Sequence, residues 1–107
     1  MFTRPETKSV ECTDEELRQR FNDGGYLTRM QQGEFTLLLR REGHPSPPLA
    51  EEPFCTKSQI IALIENGIRR ANVHQYLRPD GAIGLSGLPD PKALLDGDTL
   101  YYVPFEP

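Results

Sequence analysis

The chain has 107 residues, 36% hydrophobic and 26% charged, with a formal net charge of −4. That size suits a single domain, 1–107, with one modest core, and the acidic balance argues against a broad nucleic-acid footprint, which needs a basic surface. No apolar run approaches the roughly 18 residues of a membrane span and the N-terminus lacks a signal-peptide apolar stretch, so a cytoplasmic protein without membrane contact is expected.

Residues 1–12 show no periodicity and are expected to be a terminus that is either frayed or ordered on contact. Thr13-Asp14-Glu15-Glu16 has the spacing of a capping box, in which a Thr hydroxyl and a Glu carboxylate three residues on satisfy each other's backbone N–H groups. Leu17 and Phe21 then give a narrow apolar stripe on a short helix, and Asp23-Gly24-Gly25 stops it, because glycine enters the left-handed conformation freely.

Tyr26 to Arg41 reads as a hairpin around Gln32-Gly33, with Tyr26, Thr28, Met30, Phe35, Leu37 and Leu39 sharing one face. A helix over 26–32 would have to extend the preceding one past two glycines. Glu42 to Pro53 contains four prolines. They fix φ and remove donors, so 42–53 is expected to be an extended connector.

Ser58 to Gly87 predicts a three-stranded antiparallel meander. Asn66-Gly67 is a strong hairpin signal, since both central residues of a type I′ turn need positive φ. A strict two-residue loop pairs Ile64 with Arg69, Ala62 with Ala71 and Ile60 with Val73. Pro79-Asp80-Gly81 supplies a second turn, pairing Arg78 with Ala82, Leu77 with Ile83 and His74 with Ser86. Together these registers place Ile60, Ala62, Ile64, Ala71, Val73, Leu77, Ile83 and Leu85 on one face as the core. Further on, Asp90 and Pro91 suit the start of one helical turn reaching Leu95, and Thr99 to Val103 is a β-rich strand. The expected fold is α+β: an N-terminal helix packed on a twisted antiparallel meander of about five or six strands, with a short C-terminal helical turn.

On the same registers, the face opposite the core carries Lys57, Gln59, Asn72, His74, Tyr76, Arg78 and Ser86, with Ile61, Leu63 and Ile68 as an apolar patch. His74, Tyr76 and Arg78 alternate along one strand and so point the same way. An imidazole, a phenol and a guanidinium would serve metal-independent phosphodiester chemistry. A helix followed by an antiparallel meander also resembles, in fold, the compact ribonuclease toxins of the RelE and barnase type. The alternation equally describes a solvated strand face. The function expected first is therefore a non-catalytic interaction module, binding a protein partner or itself through a sheet face or edge, with Lys57, Gln59, Ile61, Leu63, Ile68, His74, Tyr76, Arg78 and Ser86 as the contact set. The alternative is a ribonuclease using His74, Tyr76 and Arg78, the one reading that brings nucleic acid as a partner. No cofactor is expected. His44 and His74 lie in no ligand-spaced cluster, so no metal site is expected either. Cys12 and Cys55 lack a CxxC pattern and read as free thiols.

Overall fold

The computed structural model describes residues 8–43, 53, 55–84 and 88–104. Its elements are β1 (Lys8–Glu11), α1 (Asp14–Asp23), α2 (Tyr26–Gln31), β2 (Thr36–Gly43), β3 (Lys57–Glu65), β4 (Ile68–Leu77), β5 (Asp90–Asp96) and β6 (Thr99–Tyr102). The strands form one six-stranded sheet in the order β1-β6-β5-β4-β3-β2, with β1 parallel to β6 and every other pair antiparallel. The class is α+β with a mixed sheet, where a wholly antiparallel one was expected. Residues 8–11, expected to be either frayed or ordered on contact, are ordered as an edge strand on β6, where Cys12 N–H continues the ladder to Tyr102 O at 2.8 Å.

The capping box closes α1 as its sequence requires: Glu16 N–H donates to Thr13 Oγ1 and Thr13 N–H to Glu16 Oε1, both at 3.1 Å. Gly25 takes φ +78° immediately after the Gly24 cap, a conformation that costs glycine little. The chain then re-enters a helix, α2, in place of the predicted strand over 26–31. Packing outweighs the glycine penalty. Tyr26 stacks between Phe21 and Phe35, with centroids 5.9 and 6.4 Å away, while Leu27 and Met30 lie against the same cluster.

Both helices cover one face of the sheet. Leu17 and Phe21 of α1 belong to one buried cluster with Phe35, Ile61, Leu63, Ala71, Val73 and Leu94, and Arg18–Asp90 and Lys92–Asp14 ion pairs tie α1 to β5. No helix lies on the opposite face among the described residues.

The core is therefore not the one expected. The Asn66-Gly67 turn forms, with φ of 50° and 76°, and Ile64 does face Arg69. Arg70 is then bulged out, so Leu63 faces Ala71, Ile61 faces Val73 and Ile60 faces His74. One extra residue on one strand turns the partner strand over relative to it. β4 presents Ala71 and Val73 to the core as foreseen, but β3 contributes Ile61 and Leu63 in place of Ile60, Ala62 and Ile64. Similar register shifts leave Arg40 of β2 and Lys92 of β5 without a partner opposite. All three bulged positions are long cations, side chains that a regular half-buried strand accommodates poorly.

The second turn also forms. Arg78 N–H donates to Ala82 O at 2.8 Å, Leu77 bridges Ile83, and Gly84 N–H reaches Tyr76 O at 2.7 Å. The strand that lies along β4, however, is β5, and Asp90 stands across from His74. The expected helical turn over 90–95 is thus a strand. Pro91 is tolerated there because β6 pairs only with Ala93 onwards, leaving the missing Pro N–H outside that ladder. Leu85 and Ser86 lie outside the described residues, as do 44–52 of the predicted connector; Glu42 and Gly43 belong to β2.

Candidate functional site

Alternation along β4 puts Asn72, His74 and Tyr76 on the open face, with Arg78 following just past the strand end. The bulge at Arg70 brings Ser58, Ile60, Ala62 and Ile64 of β3 to the same side, Ser58 opposite Tyr76 and Ile60 opposite His74. Ser58 Oγ then lies 2.8 Å from His74 Nε2. The His74 ring meets Tyr76 edge-on, with centroids 4.7 Å apart and planes at 89°, which fixes the imidazole on both sides.

Partial burial holds the His74 pKa below the usual imidazole value, and the Lys92 ammonium pushes it the same way; the Asp90 carboxylate opposes them. Asp90 Oδ1 is itself engaged by Arg18, with Nη2 at 2.9 Å and Nε at 3.1 Å. The neutral imidazole is therefore the favoured form near pH 7, with Nε2 able to accept from the Ser58 hydroxyl. A hydroxyl and a neutral imidazole at this distance form the minimal pair for proton abstraction.

No known protein family, curated protein or solved structure matches this chain.

The predicted contact set is divided between the two faces. Lys57, Gln59, Ile61, Leu63 and Ile68 fall on the helix-covered side and cannot flank His74. Gln59 is buried in a polar ladder, donating to Glu42 Oε2 at 2.6 Å and accepting from Gln75 at 3.0 Å. Lys57 pairs with Glu42 at 3.5 Å. Ile61 and Leu63 are 8% and 0% exposed, so the apolar patch assigned to them is core. Ile68 remains exposed at the hairpin end. Ser86 lies outside the described residues.

Two features escaped the sequence reading. Ser58 was missed because its partnership with His74 depends on the bulge. The other is β2, an edge strand exposed along its whole length, with Leu37, Leu38 and Leu39 exposed at 52%, 46% and 49%. Its signal was legible: three successive leucines cannot all point into a core from one strand. Among the described residues no group of three His, Cys, Asp or Glu side chains is placed to hold a metal ion, and no helix is long and apolar enough to cross a membrane.

Proposed function

We propose that this protein is an interaction module whose contact surface is the β2 edge, and that its occupant is a second copy of the chain. The supporting observation is the exposure of Leu37, Leu38 and Leu39 on an edge that no further strand of the described residues pairs with. Such an edge presents both backbone donors and acceptors and apolar side chains to an incoming strand. The opposite edge, β1, is short and carries Lys8 and Glu11, features that discourage pairing. In β2 the bulge at Arg40 and the charges of Arg41 and Glu42 protect only the C-terminal half.

The leucine triplet is self-complementary. Antiparallel pairing about a twofold axis at Leu38 sets Leu37 of each copy opposite Leu39 of the other on one face of the joined sheet, and the two Leu38 side chains against each other on the other face. In this reading the protein acts in the cytoplasm, joining two sheets into one. Sedimentation equilibrium across micromolar concentrations tests it: a dimer is expected for the full chain and a folded monomer for Leu38→Lys. A wild-type monomer throughout, or a dimer that survives the substitution, would overturn the proposal.

The Ser58–His74 contact favours a second reading, metal-independent RNA cleavage. With the Ser58 hydroxyl turned aside, neutral His74 Nε2 would take the proton of a ribose 2′-hydroxyl, whose oxygen bonds to the adjacent phosphorus as the P–O5′ bond breaks and the 5′-oxygen takes a proton from water. Tyr76 and Arg78 stand along the same face. RNA cleavage in EDTA that disappears in folded His74→Ala and Arg78→Ala proteins would support this; undiminished cleavage in either variant, or none in the wild type, would exclude it.

A further inference from the structure

Three neighbouring strands bring a hydroxyl, an imidazole and a carboxylate to one level of the sheet. Ser58 of β3 pairs with Tyr76 of β4, His74 precedes Tyr76 by one step on the same face, and Asp90 of β5 stands across from His74. The 2.8 Å between Ser58 Oγ and His74 Nε2 is the reach at which an adjacent base activates a serine nucleophile. Both residues are half-buried rather than enclosed. The imidazolium that forms as the serine attacks is favoured by the Asp90 carboxylate and opposed by the Lys92 ammonium.

The surroundings leave room for an acyl group. On the β2 side Ser58 faces Gly43, and the space a β-carbon would fill there has no neighbour within 4 Å among the described residues. On the β4 side Tyr76 brings a phenol O–H to the same face, a donor for the oxyanion created when a carbonyl is attacked. One such donor stabilises that charge less than the paired donors of a full oxyanion hole, so the substrate must supply a weakly basic leaving group.

We propose that Ser58 is a nucleophile with His74 as its general base, and that this face hydrolyses small carboxylic esters of phenols. Ser58 Oγ bonds to the ester carbonyl carbon as His74 Nε2 takes the hydroxyl proton. The carbonyl C–O bond to the phenol then breaks, and the phenol leaves with the proton from His74. Water attacks the acyl-serine, His74 takes a proton from it, and the carboxylic acid departs as Ser58 regains its own proton. The reaction needs neither self-association through β2 nor RNA, and it makes Ser58 the attacking group where RNA cleavage turns it aside.

p-Nitrophenyl acetate and the full chain test it. Peptide maps of acid-quenched wild-type protein are expected to carry an acetyl group on Ser58, with nitrophenol released in step. Release should fall to the background rate in Ser58→Ala, and His74→Gln should slow acetylation of Ser58 by ~100-fold or more. The acetylation rate should rise with pH as His74 loses its proton and level off above a midpoint below the ordinary histidine value. Asp90→Asn, which removes the charge favouring the imidazolium, should move that midpoint lower still. Acetyl groups found only on lysines or the N-terminus, acetylation of Ser58 unchanged in His74→Gln, or a rate indifferent to pH through the histidine range would overturn the proposal. The map and the pH profile of the wild-type chain decide it even where a variant fails to fold.

Discussion

Ser58 Oγ and His74 Nε2 stand 2.8 Å apart on the open face of the sheet, and they do so only because Arg70 is bulged out of β4. Without that extra residue β3 would be turned over, with Ser58 on the helix-covered side. The same register shift sends Ile61 and Leu63 into the core. One backbone irregularity therefore sets both the interior and the chemistry of the exposed face.

The first prediction concerns His74. Its folded-state pKa lies below the value of about 6.5 that an unfolded chain gives. As pH falls through that value the unfolded chain takes up a proton before the folded one does, so stability is full above it and declines below it. Urea unfolding from about pH 7.5 to pH 5.5 should show falling stability, with a shallower slope in His74→Gln. An NMR titration of the imidazole should give a midpoint below the ordinary histidine value. A raised midpoint, or a slope unchanged by the substitution, would refute the assignment.

The second concerns the interior. Leu63→Ala should cost about 2–5 kcal/mol, the usual range for truncating a buried leucine, whereas Ile64→Ala, on the open face, should cost less. Ile61→Asp would place a charge in the core and should unfold the chain. Chemical denaturation of the first two and circular dichroism of the third check this. A larger loss for Ile64 than for Leu63 would restore the register without a bulge.

The contrast between these positions shows what was legible in the sequence. Thr13/Glu16, Asn66-Gly67 and Pro79-Asp80-Gly81 were readable because each rests on chemistry confined to a few neighbouring residues. The bulges at Arg40, Arg70 and Lys92 were not, since they arise from how two strands meet. Tyr26 to Gln31 went wrong for a related reason: aromatic stacking on Phe21 and Phe35, distant contacts, outweighed the local cost of Gly24-Gly25. Asp90-Pro91 is a good helix start locally, yet the edge of β4 recruits it as strand. The pairing of Lys8–Glu11 with β6 joins opposite ends of the described chain and leaves no periodic trace. The candidate site was half visible: His74 and Tyr76 lie on one face as read, while their partner Ser58 came from the strand that was turned over.

A third prediction tests the helix that covers the core. Thr13→Ala removes one half of the reciprocal cap and should lower stability by about 1 kcal/mol, with Thr13→Ser nearly neutral. Thermal unfolding of the two variants checks it, and equal melting temperatures would mean that the cap contributes nothing.

Amide hydrogen exchange along β2, followed as protein concentration is raised, is the most direct test of the edge as a self-pairing surface. In the wild-type chain, exchange within Thr36–Gly43 should slow as concentration increases, while β1 amides stay unchanged and the Leu38→Lys protein shows no concentration dependence. β2 exchange rates that are the same at every concentration would contradict the account.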